Sequence, residues 1–227
     1  MDAIIMCAGK GTRLRPITDS IPKPLVPICG RSSLERTLDA LPSEVDRIIL
    51  IVGYLGNIIK ERIGTRLDDR EVVYVEQGVL NGTGGALRCA QSSIRSDHFL
   101  VLNGDDVYVG EDFAELLKYQ HALLYKRMAW GGSADAWVID ERGIIAGMEQ
   151  IEPGPQVNLN VGAYHLGRSW FDTEPVLSPG KTDEWSIPHA VPQIVERGFP
   201  VKGIRARFWM PVGTPEQLEE AEKELKK

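Results

Sequence analysis

Four short aliphatic runs, Ala3–Cys7, Arg47–Val52, Val72–Glu76 and Phe99–Asn103, alternate with helix-length segments through the first half of the chain, and this alternation limits the fold more than any other feature. Each run is bounded by polar residues or glycine, the mark of a buried strand. Between them, Leu34, Leu38 and Leu41 share a helical face after Ser32 and Ser33, and Ile58, Ile59, Ile63 and Leu67 recur after Gly56. Strand-helix-strand order favours right-handed crossovers and a mostly parallel sheet flanked by helices, an α/β fold whose ligands gather at the carboxyl ends of the strands.

The second half changes character. Ala136–Asp140, Ile144–Glu149 and Asn160–Leu166 read as strands, with Glu141-Arg142-Gly143 as a hairpin turn, and are expected to form a small β-rich insertion covering the sheet. Pro215 to Lys227 reads as a helix: Thr214 is its N-cap, Pro215 its first residue and Gln217 completes a capping box. Glu219/Lys223 and Glu222/Lys226 are i,i+4 pairs on a solvated face. A length of 227 residues suits one domain, whose two halves, about 1–130 and about 131–227, differ in pattern. No internal repeat is visible, and Glu152–Pro155 is too short for a domain linker.

Composition excludes several classes of function. A net charge of −6 argues against a broad nucleic-acid surface, which needs clustered Lys and Arg, so anionic ligands require a local basic pocket. Apolar stretches such as Ile48–Val52 are far too short to span a bilayer, and the N-terminus lacks a basic region followed by a long apolar run. Cys7, Cys29 and Cys89 are an odd number at wide spacing without a C-x-x-C pair, so neither a disulfide framework nor a zinc site is expected. A cytoplasmic protein fits these features best. No oligomerisation motif is visible, which leaves a homo-oligomer open.

The chemistry begins just after the first strand. Ala8-Gly9-Lys10-Gly11-Thr12-Arg13-Leu14-Arg15-Pro16 combines two flexible glycines with three basic side chains, which suits close approach to a polyphosphate. Gly11 is followed by Thr12 where a Walker A loop has Gly-Lys-Ser/Thr, so a P-loop hydrolase reading fails, and the third spaced glycine of a dinucleotide fingerprint is missing, so a dinucleotide oxidoreductase is a poor third reading. Standing alone, the segment is equally compatible with a glycine turn carrying surface basics. Lys23, between Pro22 and Pro24, has a restricted backbone that could aim its ammonium at a phosphate, though a solvated lysine fits too. Asp105 and, more weakly, Asp106 end an apolar strand where oxygen ligands for a phosphate-bridging magnesium ion would lie; an Asp-rich turn is the plainer reading. His98, His121, His165 and His189 are scattered and read as structural or surface residues.

Taken together and in order, these segments resemble the sugar-phosphate nucleotidyltransferases, the family of glucose-1-phosphate thymidylyltransferase and the mannose- and heptose-1-phosphate guanylyltransferases, with the signature G-x-G-T-R-L-x-P followed by K-P. The resemblance spans nearly the whole chain and implies a Rossmann-like mixed α/β core. It also implies transfer of a nucleotide from a nucleoside triphosphate to a sugar 1-phosphate, with release of pyrophosphate and a requirement for Mg2+. In that family the segment Ala8, Gly9, Lys10, Gly11 and Thr12 cradles nucleotide, Arg13 stabilises the leaving pyrophosphate, Lys23 grips the attacking phosphate or the α-phosphate, and Asp105 holds magnesium. Gln77 and Gly82, five apart and followed by Thr83, look like the base-reading pair. A glutamine amide suits pyrimidine or purine edges alike.

Glu149 and the pair Asn160 and Gly162 resemble the family's sugar-contacting E-K-P and N-x-G segments, but Gln150 stands where the lysine belongs. Trp209-Met210-Pro211-Val212-Gly213-Thr214 resembles W-x-D-x-G-T with Pro211 in place of a second metal-binding aspartate. Asp106 could help directly or through water, or Asp105 and the phosphates could hold the ion. These departures keep two other readings in view: transfer to a non-sugar alcohol phosphate such as phosphocholine or inositol phosphate, and a catalytically weak nucleotide-sugar-binding regulator. The chain lacks the C-terminal repeat region of some bifunctional relatives, so no acyltransferase activity is expected.

Overall fold

In the computed structural model, which describes residues 1–132 and 134–226, the first half runs β1 (Asp2–Cys7), β2 (Pro27–Ile28), β3 (Arg31–Ser32), α1 (Ser33–Ala40), β4 (Arg47–Val52), α2 (Gly56–Ile63), β5 (Arg66–Leu67), β6 (Arg70–Glu76), α3 (Gly82–Ala90), β7 (His98–Asn103), β8 (Asp106–Tyr108) and α4 (Gly110–Leu116). The second half adds β9 (Ala122–Trp130), β10 (Ala134–Ile139), β11 (Ile145–Ile151), β12 (Gly154–Gly167), α5 (Ile187–Glu196), β13 (Lys202–Arg205), β14 (Trp209–Pro211) and α6 (Pro215–Glu224). The strands β7, β1, β4 and β6 lie side by side and parallel at the centre of one mixed sheet. All four runs expected to form parallel strands are there.

Their unbroken apolar character follows from burial on both faces. Ala3 and Ile5 of β1, Ile48 and Leu50 of β4, and Leu100 and Leu102 of β7 pack on one face with Leu34 of α1, Ile59 of α2 and Phe113 of α4. Their alternates Ile4, Ile49, Ile51, Phe99 and Val101 pack on the other face against Leu87 of α3 and Ile187, Val191 and Ile194 of α5. Ser32 caps α1 with a complete capping box to Glu35. Leu67, grouped by periodicity with α2, belongs instead to β5, because the helix ends before Gly64.

The second-half strands extend the sheet rather than cover it. The path runs β11-β10-β12-β7, with β12 antiparallel to β7, and β9 pairs β12 and β13. The expected β10–β11 turn is held by Asp140, whose Oδ1 accepts from Arg142 N (2.9 Å) and Ile144 N (2.8 Å). In α6 Thr214 caps as expected, but Gln217 Oε1 accepts from Gly213 N (2.8 Å), one residue before the cap, and the helix ends at Glu224. Both i,i+4 ion pairs form. Lys227 lies outside the described residues. Three of the histidines, His98, His121 and His165, gather at the end of β7 opposite Asn103, with ring centroids of the adjacent pairs 5.8 and 5.9 Å apart. No helix among the described residues is long and apolar enough to cross a membrane.

At that same end of the sheet a buried ion pair ties three strands together. Arg47 Nη1 donates to Asp2 Oδ1 (3.0 Å) and Arg47 Nε to Glu71 Oε2 (3.1 Å), while Asp2 Oδ2 accepts from Arg95 N (2.7 Å) and Ser96 N (2.8 Å). Burial pushes the Asp2 carboxyl up, but the hydrogen bonds from Ser96, Arg95 and Arg47 outweigh it and hold the group below its usual value. Its stabilising contribution is present above the unfolded-state carboxylate range and is lost as pH falls through the lowered folded value. Asp2→Ala strands Arg47 and two backbone N–H groups, and is expected to cost about 3 to 5 kcal/mol in urea unfolding. A loss under 1 kcal/mol would show that Glu71 and the Ser93 carbonyl satisfy Arg47 without Asp2.

Candidate active site

The carboxyl ends of β1, β7 and β6 open into a cleft of about 510 Å³. The turn after β1 starts with Ala8, packed in the core, and reaches Gly11 at φ +62°, from which a 3-10 turn of Thr12–Leu14 folds back and buries Leu14. Gly11 has no substitute here: besides its left-handed backbone, an added Cβ would lie 2.9 Å from Lys23 Cβ and 3.0 Å from Thr18 Cγ2. Thr18 Oγ1 donates to Gly11 O (2.8 Å), closing the loop on itself. Gly11→Ala is therefore expected to displace Lys23 as well as strain the loop, lowering activity about tenfold or more at a stability cost of about 1 to 2 kcal/mol. Unchanged kinetics would show that the Lys23 stem yields without consequence.

Lys23 sits in a short 3-10 turn after Pro22, with Pro24 buried, and its Nζ is ion-paired with Asp105 Oδ2 inside the cleft. Ser33 Oγ lies 3.0 Å from Gly104 O and 3.3 Å from Pro24 O, so α1 ties the lysine turn to the aspartate loop. Arg13 reaches the cleft from the other side of the glycine loop, its Nη2 against Gly213, and has no carboxylate partner among the described residues. Arg15 is instead paired with Asp19 at 3.1 Å.

Gln77 closes the opposite end of the cleft. Its Nε2 donates to Asn81 Oδ1 (3.0 Å) and Gly82 O (3.2 Å), which leaves Oε1 as the open acceptor. A distant segment braces this corner: Trp185 N donates to Asn81 O (2.7 Å), Gly84 N to Trp185 O (2.8 Å) and Ile187 N to Thr83 Oγ1 (3.1 Å). Thr83 lines the cleft with its hydroxyl engaged in that brace, and Glu184 lines the cleft beside it.

Every residue expected to touch nucleotide or phosphate, from Ala8 through Arg13 together with Lys23, Gln77, Gly82, Thr83 and Asp105, lines this single cleft. Asp106, the weaker candidate ligand, does not: its carboxylate is buried, accepts from Asn103 Nδ2 (3.1 Å), and stands opposite Pro211 in the β8–β14 ladder. Burial, and then the neighbouring Asp105 charge, push it up to about 7. The expected sugar contacts lie on the sheet beyond the cleft wall. Glu149 is exposed on β11, Asn160 Oδ1 accepts from Tyr164 Oη (2.9 Å) and Gly162 N (3.3 Å), and Gly162 lies against the cleft residue Asn103. Asn103, Glu184 and Gly213 line the cleft without having been singled out as site residues; Glu184 is brought there by contacts about 100 residues away in sequence, and Gly213, inside the W-x-D-x-G-T resemblance, by its approach to Arg13 about 200 residues away.

Among the described residues no three His, Cys, Asp or Glu side chains converge as a metal cage. Asp105 nonetheless presents a hard oxygen donor to the cleft, which fits a magnesium ion that takes its remaining ligands from phosphates and water.

The nucleotidyl transferase family model matches residues 2–130, and the chain belongs to that family. It is 34% identical to the bifunctional protein GlmU of Methanocaldococcus jannaschii over 99% of this chain and 54% of that one. It is 27% identical to the UTP–glucose-1-phosphate uridylyltransferase AglF of Haloferax volcanii over 99% and 96% of the two chains. The solved inositol-1-phosphate CTP transferase from T. maritima shares the fold at a TM-score of 0.76 and 18% identity, over 100% of this chain and 96% of that one. The chain spans about half the length of the GlmU relatives it matches.

Proposed function

We propose that this chain joins a nucleoside triphosphate to a sugar 1-phosphate, forming a nucleotide-activated sugar and pyrophosphate in the cytoplasm. The observation that carries this reading is the convergence of the Gly9–Arg13 loop, the Lys23–Asp105 pair and Gln77 on one cleft. An acceptor phosphate oxygen attacks the α-phosphorus, and the bond from that phosphorus to the pyrophosphate oxygen breaks. No side-chain nucleophile is needed, so the work is positioning and charge neutralisation.

Arg13, without an acidic partner among the described residues, is free to neutralise the leaving pyrophosphate. Lys23 holds a phosphate oxygen, and its pairing with Asp105 keeps the ammonium aimed into the cleft before substrate arrives. Gln77 Oε1 and the backbone from Gly82 read the base, with Glu184 offering an acceptor at the same end. Magnesium held through Asp105 supplies further neutralisation of phosphate charge when bound. Residues about 1–130 and 131–227 act as one unit, since Trp185 braces the base corner and Gly213 abuts Arg13.

The test is pyrophosphate release with Mg2+ across ATP, CTP, GTP, UTP and dTTP, each paired with sugar 1-phosphates and with alcohol phosphates. Release that depends on a sugar 1-phosphate is expected. Release only with an alcohol phosphate would transfer the reading to that acceptor class, and nucleotide-sugar binding without any release would mark a regulator.

A further inference from the structure

We infer that Asp106 is a positioning residue that fixes the Asn103 amide, so that Asn103 Oδ1 accepts a hydrogen bond from a hydroxyl of the acceptor substrate. The inference rests on the transferase reading. Asn103 ends β7 and lines the cleft two residues before Asp105. Its Nδ2 donates to Asp106 Oδ2 (3.1 Å), and Oδ1 has no partner among the described residues. Because the amide nitrogen faces inward, the oxygen is the group left for a ligand, and an amide oxygen can only accept.

Two further contacts lock this arrangement. Tyr108 Oη lies 3.3 Å from Asp106 Oδ2 and 2.8 Å from Val161 O, tying the buried carboxylate to β12. Gly162 lies against the Asn103 amide, and a side chain there would occupy the amide's own space. Asp106 and Gly162 therefore hold one planar group from two sides, and Tyr108 fixes Asp106 in turn.

Strand order says which substrate Asn103 meets. Gln77 follows β6, while Asn103 ends β7, and β1 and β4 lie between them. Three strand spacings separate the two residues by about 14 Å across the cleft. With the base read at the Gln77 end and phosphates held by the central loop, Asn103 faces the remaining substrate. It also borders β12, which leads to the strands of the second half. The acceptor class is a phosphorylated polyol or sugar with a free hydroxyl near its phosphate.

The experiment compares steady-state kinetics of Asp106→Val, Asp106→Asn, Asn103→Ala and the Asp106→Val/Asn103→Ala double variant in the full chain, with melting temperatures recorded for each. Loss of one oriented hydrogen bond is expected to raise the acceptor KM about tenfold in Asp106→Val and in Asn103→Ala, with little change in nucleotide KM. The double variant should lose no more than either single variant, because one residue acts through the other. Asp106→Asn keeps an acceptor for Asn103 Nδ2 without the charge, and should recover most of the acceptor KM lost in Asp106→Val. If Asp106→Val does not fold, Asn103→Ala with and without Asp106→Asn carries the comparison.

Calorimetric titration of Mn2+-nucleotide, which needs no turnover, should give the same Kd for wild type and Asp106→Val. A weaker Kd with an unchanged acceptor KM would make Asp106 a metal ligand and overturn the proposal. Multiplicative losses in the double variant, or a fall in melting temperature with all KM values unchanged, would overturn it as well. Failure of the wild-type chain to release pyrophosphate with any pair would instead bring down the transferase reading beneath it.

Discussion

Arg13→Ala is expected to lower turnover by about two to three orders of magnitude while changing nucleotide KM only a few-fold. The guanidinium enters the cleft beside Gly213 and has no carboxylate to neutralise it among the described residues, so its charge is available to substrate. Negative charge on the departing pyrophosphate grows as its bond to the α-phosphorus stretches. A cation that meets this growth stabilises the transition state more than the ground state, which lowers kcat. Arg15 is the internal control: its charge is already paired with Asp19, and Arg15→Ala should leave kcat within about twofold. Pyrophosphate release at saturating substrates measures both. A higher KM with normal kcat in Arg13→Ala would reduce its role to ground-state binding.

Asp105→Asn carries the second large effect. Its carboxylate is the partner of Lys23, and the two side chains are 28% and 12% exposed, so the pair is largely shielded from bulk water. In the proposed site, removing the charge is expected to weaken the hold on magnesium and to release Lys23 from its orientation. Activity is expected to fall about a hundredfold, with the half-saturating Mg2+ concentration rising about tenfold or more. The two consequences separate on a magnesium titration: high Mg2+ should restore the metal-dependent part and leave the part due to Lys23. An unchanged half-saturating concentration would remove Asp105 from the metal site.

The proposed nucleotide end of this cleft was legible in sequence because its residues lie in short local patterns. An apolar run buried on both faces marks a parallel strand wherever it occurs, and the glycine loop and the Gln77–Thr83 turn sit immediately after two of them. The acceptor end was not legible in the same way. Asn160 and Gly162 fall on the expected strand, yet Asn160 spends its carbonyl on Tyr164 and Gly162 at a register irregularity of β12, which only pairing with β9 reveals. The strand β9 itself was missed. Ala122-Leu123-Leu124 and Lys126 to Ala129 are composed largely of good helix formers, and pairing with both β12 and β13 overrides that preference. Asn103 was visible as the end of a strand but became a cleft residue only once Gly162 and Asp106 were placed around its amide.

The brace that Trp185 makes with Asn81 and Gly84 has a consequence for the order of synthesis. The residues that line the proposed nucleotide end emerge from the ribosome about a hundred residues ahead of the carbonyl that satisfies Gly84 N and the amide that satisfies Asn81 O. Closing so long a loop is entropically costly and slow compared with forming α3 itself. The growing chain thus carries its glycine loop, lysine turn and glutamine before the Gln77 end of the cleft is braced, and that brace closes only once Trp185 has been made.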